Sequence, residues 1–320
     1  MKDDDNATMH AVLKGDRRAV ARLITRVENT ARDGDETLRA VFKHTGKAYR
    51  IGITGPPGAG KSTITNKLAA VFRARGGSVG IIAVDPTSPF TGGALLGDRV
   101  RMADVELDDG IFIRSMASRG SSGGLSRKAA EAADVLDAAG FETILFETVG
   151  VGQSELDIAG AADTTVVVLV PESGDAIQAM KAGLMEIADL FVLNKGDRPG
   201  ADHAVMSIKM ILGFRPHNDT TWMTGVLKTQ ANDGKGIDEL AAAIDRHREF
   251  LVQTESLAQR RQARLRGRIR AIVEAKLDTH FWTPERSQEL DEVLSRVVSR
   301  EKTPYDVADD LLAHFAGRTT

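Results

Sequence analysis

The chain has 320 residues, with 42 basic and 45 acidic side chains and a net charge of −3. This balance gives no overall positive field that would favour nucleic acid. The absence of cysteine excludes disulfide frameworks, thiolate zinc sites and thiol nucleophiles. No apolar run approaches the roughly 18 residues of a membrane span, and the acidic, polar residues 1–6 are unlike a signal peptide. We therefore expect a cytoplasmic protein with neither a membrane nor a nucleic-acid partner.

Residues 1–48 carry apolar side chains at helical spacing. Val20, Leu23, Ile24 and Val27 fall on one stripe of a helix, and further apolar residues near Val41 form a second stripe. This spacing predicts an N-terminal helical region over residues 1–48.

Residues 49–253 alternate short apolar runs with longer amphipathic stretches. The apolar runs cover 49–54, 79–84, 111–113, 143–146, 165–170, 190–193 and 222–227. Most are separated by helical patterns, for example at 62–75, 125–139 and 176–188. Strands without polar alternation, joined through helices, are typical of a mostly parallel sheet covered on both faces. The pattern predicts an α/β domain over residues 49–253.

Residues 254–320 have no strand pattern and show three helical stripes in succession. Three short helices bury little surface on their own, so we expect them to pack on the α/β core, on a second copy, or on both. Arg260, Arg264 and Arg268 recur every four residues on one helix face. Because acidic residues balance this region and stacking aromatics are missing, we expect a solvated or interface-facing basic face rather than a nucleic-acid site.

A phosphate-binding loop follows the first predicted strand. Its residues are Gly55, Pro56, Pro57, Gly58, Ala59, Gly60, Lys61 and Ser62, a full G-x-x-x-x-G-K-S match, with Thr63 next. Glycines allow successive backbone N–H groups to face an anion, and the start of the next helix adds partial positive charge. We expect Lys61 to reach the β- and γ-phosphates and the Ser62 hydroxyl to bind Mg²⁺.

The sixth predicted strand ends in Asn194, Lys195, Gly196 and Asp197. The Asp197 carboxylate can accept hydrogen bonds from N1–H and the exocyclic amine of guanine, which adenine does not offer. Asn194 is expected to hold neighbouring loops together and Lys195 to lie over the base. A further base loop is expected after the next strand, where the Ala231 backbone N–H faces the guanine carbonyl. The pattern predicts GTP rather than ATP.

Two more acidic strand ends are candidates for the metal and for water activation. Glu147 closes the strand at 143–146 and leads into a segment with Gly150, which is suited to approaching a γ-phosphate. Asp85 closes the strand at 79–84, and a glycine-flanked Asp98 follows. The predicted Mg²⁺ set is Ser62, Asp85, Asp98 and Glu147. Arg99 and Arg101 are candidates for a charge-stabilising arginine, and they are at least as consistent with surface or partner contacts.

These motifs together resemble one family, the MeaB/ArgK-type GTPases associated with methylmalonyl-CoA mutase. The segments that carry the resemblance are 55–62, 84–86, 97–98, 147–155 and 194–197, of which 147–155 is the most specific. The resemblance covers nearly the whole chain, including the helical ends, and implies a P-loop NTPase fold.

The resemblance also implies a function. It suggests a homodimeric GTPase, joined through residues 254–320, that escorts an adenosylcobalamin-dependent acyl-CoA mutase. GTP would gate cofactor loading from an adenosyltransferase and the removal of damaged cofactor. Basal hydrolysis is expected to be slow and to be raised by the partner.

Two other enzyme or carrier classes stay open. A P-loop small-molecule kinase would share Lys61 and Ser62 but has no use for a guanine-reading loop at Asp197. A nickel or cobalt metallochaperone needs Cys or His ligands near its mobile loops. The chain has no Cys, and its seven His residues are scattered along the sequence.

Overall fold

The computed structural model describes residues 2–29, 36–86, 108–118, 124–148, 157–171, 183–214, 218 and 221–316. The chain divides into two compact units between Arg264 and Leu265. This division falls inside the region 254–320 that the sequence suggests as a separate helical segment. The boundaries at 48/49 and 253/254 stay predictions.

The first unit is built on a seven-stranded sheet in which every neighbouring pair is parallel. The strands are β1 Tyr49–Thr54, β2 Val79–Pro86, β3 Ile111–Ser118, β4 Thr143–Thr148, β5 Thr164–Leu169, β6 Leu190–Leu193 and β7 Gly225–Lys228. Their order across the sheet is β3-β2-β4-β1-β5-β6-β7. The predicted α/β class with a parallel sheet is confirmed.

Strand β1 lies in the middle of this order, between β4 and β5. The chain leaves β1 toward one side of the sheet and, after β4, returns to add β5, β6 and β7 on the other side. In an open parallel sheet, ligands bind outside the carboxyl ends of the strands where the order reverses. The loop that follows β1 is therefore at the position where this fold places a ligand.

Helices cover the sheet and extend both ends of the described chain. They span Lys2–Leu13, Arg17–Asn29, Glu36–Phe42, Lys61–Ala74, Gly124–Ala138, Leu184–Ile187, Ala201–Gly213, Ile237–Gln253, Ser256–Phe281, Pro284–Val298 and Pro304–Ala316, with 3₁₀ turns at Ile158–Gly160 and Ala231–Asp233. The helical extensions at both ends are confirmed. Within the part of the chain described here, no helix is both long enough and apolar enough to span a bilayer.

Apolar side chains fill both faces of the sheet. On one face, Ile53 and Val168 pack with Ile64 and Leu240 from the two covering helices. On the other face, Leu23 and its neighbours from the N-terminal helices share a cluster with the helix Gly124–Ala138. A third cluster under β6 takes in the inner side of the helix Ala201–Gly213. This burial on both faces explains why the strands read as continuous apolar runs.

Five strands differ from their predicted extent, and the third and the seventh differ most. The third strand continues to Ser118 because it pairs with β2 along its whole length. The seventh begins at Gly225 rather than at Trp222, whose indole N–H instead donates to the Asp189 carbonyl at 2.8 Å.

At the amino-terminal edge of the sheet, two buried aspartates form ion pairs with arginines. Arg260 makes two hydrogen bonds, of 3.0 and 2.9 Å, to the Asp189 carboxylate. Arg261 lies 2.9 Å and Arg264 3.2 Å from the carboxylate of Asp163, which is fully buried. The expectation of a solvated or interface-facing basic face is therefore wrong for Arg264, whereas the Arg260 side chain, although bonded to Asp189, stays 41% exposed. These side chains are used inside the first unit to hold the start of the helix Ser256–Phe281.

Candidate functional site

The loop between β1 and the helix Lys61–Ala74 has a backbone suited to binding an anion. Gly55, Gly58 and Gly60 have φ angles of 135, 76 and 90°, in a region that side-chain-bearing residues rarely adopt. The helix begins at Lys61 directly after this turn, so its first N–H groups face the loop. The predicted phosphate loop thus has the local geometry that phosphate binding requires.

Two of these glycines are also needed for close approach. A Cβ atom at Gly55 would collide with the Val168 carbonyl oxygen on β5, and one at Gly60 would collide with the Asn194 side chain. The loop therefore packs closely against β5 and against the residue that follows β6.

The two polar residues at the helix start face different partners. Lys61 is only 5% exposed, and its ammonium group donates to the carbonyl oxygens of Gly55 at 2.8 Å and Pro56 at 2.9 Å. The Ser62 hydroxyl donates to the Glu147 carboxylate. A phosphate ligand offers Lys61 oxygen acceptors of the same kind, with more negative charge.

Glu147 comes from β4, the strand beside β1. It lies opposite Ile53 of β1 in the strand register and is 5% exposed. The next residue, Thr148, donates to the Thr54 hydroxyl at 3.0 Å, which joins the ends of β4 and β1. A hydroxyl and a carboxylate are hard oxygen ligands of the type that Mg²⁺ takes, so Ser62 and Glu147 fit that ion.

The other predicted metal and catalytic positions are described only in part or lie outside the described residues. Asp85 belongs to β2, one residue beyond the pairing of Val84 with Thr148, so its backbone is at the same sheet edge. Asp98, Arg101 and Gly150 lie outside the described residues. Among the residues that are described, no group of three or more His, Cys, Asp or Glu side chains is arranged to hold a metal ion.

Asn194, at the end of β6, connects the phosphate loop to the predicted base loops. Its side-chain amide donates to the Ala59 carbonyl at 2.9 Å. Its carbonyl oxygen accepts from the Thr229 hydroxyl and from the Ala231 N–H, both at 3.1 Å. Since Asn194 is 4% exposed, these bonds are shielded from water and fix three loops relative to one another.

The predicted base loop continues from Asn194 with a constrained backbone. Lys195 has a positive φ of 56°, and the Gly196 N–H donates to the Thr229 carbonyl at 2.9 Å. Asp197, the next residue, is exposed. The Ala231 N–H, which the sequence assigns to the guanine carbonyl, already donates to Asn194. Its contact with the base stays a prediction.

Lys61 and Asp197 thus lie at the same edge of one sheet. Each follows the carboxyl end of a parallel strand, β1 and β6, which are separated only by β5. The hydrogen bond from Asn194 to Ala59 spans that separation. The site therefore has a phosphate-binding loop and a polar loop joined at one edge of the sheet.

The sequence places Thr229 in the expected base loop and Thr148 after Glu147, but it assigns no role to the Thr229 hydroxyl or to a Thr54–Thr148 pair. Each of these threonines lies at or directly after a strand end. A single sequence does not reveal the order of the strands, so it does not show which strand ends lie side by side. Their partners are 35 and 94 positions away in the sequence.

A family model supplies the decisive comparison. The model described as methylmalonyl-CoA mutase-associated GTPase MeaB matches residues 20–286. The chain belongs to this family. It is accordingly a P-loop GTPase that takes guanine nucleotide, and its family is linked to methylmalonyl-CoA mutase.

Individual relatives agree with this membership. A Pyrococcus abyssi protein named as a GTPase is 48% identical, over 95% of this chain and 94% of its own length. The methylmalonic aciduria type A homologue of Mus musculus mitochondria is 31% identical, over 96% of this chain and 78% of its own. A crystal structure titled as an LAO/AO transport system kinase superposes with a TM-score of 0.76 at 26% identity, covering 99% of each chain. The predicted fold and GTPase activity are confirmed.

Proposed function

We propose that this GTPase is a chaperone for an adenosylcobalamin-dependent acyl-CoA mutase such as methylmalonyl-CoA mutase. GTP would gate the loading of the cofactor, with an adenosyltransferase as its source, and the protection or reactivation of the mutase. The observation that carries the proposal is the family match over residues 20–286. The joined phosphate and base loops around Asn194 support a nucleotide-gated role, since both loops would respond to one ligand.

The roles of the site residues are part of this proposal. Residues 55–63 would hold the phosphates, with Lys61 as the principal charge. Ser62, Glu147, Asp85 and Asp98 would hold Mg²⁺, which supplies charge neutralisation at the β- and γ-phosphates when bound. Gly150 would contact the γ-phosphate and Arg101 would stabilise developing charge. Asn194, Lys195, Asp197 and Ala231 would surround the guanine base.

The chemistry is transfer of the γ-phosphoryl group to water. A bond forms between the water oxygen and the γ-phosphorus, and the bond to the β–γ bridging oxygen breaks, so GDP and inorganic phosphate leave. Little covalent chemistry falls to the protein, whose residues position and stabilise charge. The described part of the site offers no isolated side chain poised as a strong base, which supports a slow basal rate raised by the partner.

A homodimer joined through the C-terminal helices and a cytoplasmic location complete the proposal. The second unit supports self-association because Ile269, Val273 and Leu277 are about half exposed or more. They recur every four residues on the helix Ser256–Phe281, so they form a single apolar stripe.

The test is transfer of adenosylcobalamin from a purified adenosyltransferase to the mutase of the same organism. We expect transfer to require this protein and GTP, and ATP not to replace GTP. Lys61→Ala should abolish hydrolysis and GTP-dependent gating while circular dichroism stays unchanged, because a principal phosphate ligand is lost. Lys67→Ala, an exposed-helix control on the same element, should behave as wild type. Ungated transfer, or near-normal turnover by Lys61→Ala, would refute the proposal.

A further inference from the structure

The helix Ala201–Gly213 follows the base loop directly and has apolar side chains on two faces. Its inner face packs under β6, where Ala201 and Ile208 are buried with Leu193. Its outer face carries Met206 and Met210, which are 70% and 67% exposed, and ends at Phe214, which is 83% exposed. The inner face accounts for the packing of the helix, and the outer apolar residues add nothing to it.

The three outer residues form one continuous ridge. They are spaced four residues apart, so they lie above one another along the helix. Exposed apolar patches of roughly 300–600 Å² are the largest that typical soluble monomers carry, and they are often interaction sites. Methionine adapts its shape to a partner surface, and an exposed aromatic ring is a common anchor in protein interfaces.

The charges around the ridge indicate the chemistry of its partner. Lys209 lies between Met206 and Met210 in the sequence and is exposed, as is His203 one turn earlier. The single acid of this helix, Asp202, is paired with Lys228 at 2.8 Å. Lys209 therefore places an exposed positive charge beside the ridge, which a carboxylate next to an apolar segment would complement.

We propose that the ridge formed by Met206, Met210 and Phe214 is the surface on which the acyl-CoA mutase docks, through an apolar segment with a carboxylate placed to meet Lys209. This inference rests on the proposed function, because that function supplies the partner. The helix begins four residues after Asp197, and its first residue is bonded to the base loop through the Ala201 N–H and the Arg198 carbonyl. A partner on this ridge lies next to the nucleotide loop and could sense whether the base is bound.

The test measures binding of the purified mutase from the same organism to the full chain loaded with a non-hydrolysable GTP analogue. We expect the double variant Met206→Asp with Met210→Asp to bind at least tenfold more weakly. Lys209→Glu should weaken binding severalfold and reduce its dependence on salt. Val252→Asp is the control, since Val252 is 56% exposed on a different helix of the same unit; it should bind within twofold of wild type. Basal GTP hydrolysis should be unchanged in all variants, which shows that they fold.

Three results would overturn the inference. If the double variant binds the mutase as tightly as wild type, the ridge is not the docking surface. If it instead lowers the mass of the free protein in sedimentation velocity, the ridge joins two copies of this chain. If the wild-type protein binds no mutase in either nucleotide state, the proposed function is wrong, and the mutase is not the partner of this ridge.

Discussion

Asp197 is exposed at the mouth of a loop whose backbone is otherwise held rigidly. Gly196 is bonded to Thr229, and a Cβ atom at Gly196 would collide with the Lys228 side chain. Asn194, three residues before Asp197, is fixed by bonds to Ala59, Thr229 and Ala231. The carboxylate is thus accessible to a base while its backbone stays in place. Pre-organisation of this kind lowers the ordering cost of binding.

The first prediction concerns base selectivity. Asp197→Asn should weaken binding of a GTP analogue and strengthen that of the xanthosine analogue, because the amide offers a donor where xanthine has a carbonyl. We expect the ratio of the two dissociation constants, measured by calorimetry, to change by at least tenfold. Asp233→Asn is the matched control, since Asp233 is an exposed acid beside Ala231. An unchanged ratio in Asp197→Asn would mean that the base binds elsewhere.

At the scale of elements, the first turns of the helix Ser256–Phe281 are clamped to the amino-terminal edge of the sheet. Arg261 donates to the carbonyl oxygens of Gly46 and Ala48, each at 2.9 Å, and to the Asp163 carboxylate at 2.9 Å. Arg264 adds a bond to the Ala161 carbonyl at 3.1 Å. Asp163 stands directly before β5, so the helix is tied to the strand on which the phosphate loop rests.

The second prediction tests this clamp. Arg261→Ala should lower the free energy of unfolding by about 2–3 kcal/mol, because it leaves the buried Asp163 carboxylate with fewer partners. Denaturation in urea followed by circular dichroism would measure it. Arg246→Ala, an exposed arginine on the preceding helix, should change stability by less than about 0.5 kcal/mol. If both variants lose the same small amount, the contacts of Arg261 contribute no net stability.

For the whole molecule, the buried acids at the sheet edge make stability depend on pH. Burial on its own would raise the pKa of Asp163. The hydrogen bond from Arg261 and the charges of Arg264 and Arg261 outweigh it and leave that pKa below its ordinary value. Burial likewise opposes the lowered pKa of Asp189, which His247 and Arg260 bring about. The folded protein therefore favours the ionised form of both carboxylates more than the unfolded chain does.

The third prediction follows from the sign of these shifts. A carboxylate whose pKa is lower in the folded state stabilises the fold when it is ionised in both states, which is the case above its unfolded-state pKa of about 3.9. This stabilisation is lost as the pH falls through the folded-state pKa. We expect the free energy of unfolding to be flat near neutral pH and to fall below about pH 4. Asp163→Asn should be less stable at pH 7 and should lose less on acidification. Parallel curves for wild type and Asp163→Asn, measured by denaturant unfolding from pH 7 to 3, would contradict this.

The sequence by itself determined the local features of this protein. The phosphate loop at Gly55 to Ser62 is set by residue types that allow positive φ angles and a helix start, and both are properties of adjacent residues. The parallel sheet follows from apolar runs separated by helical stretches. Asn194 and Asp197 are recognisable because they form an Asn-Lys-x-Asp pattern after a predicted strand, in a chain that also carries a phosphate loop.

Only the tertiary structure decided which distant residues meet. It joined Asn194 to Ala59 and Thr229, and Thr54 to Thr148, through bonds between segments far apart in the chain. It also turned Arg264 inward, where helical periodicity alone suggested an outward basic face. The physical reason is that periodicity gives the faces of an element but not what packs against each face. What packs against each face depends on the strand order and on buried charges. Asp163, for example, is removed from water only when the chain folds, and only then does it require arginine partners.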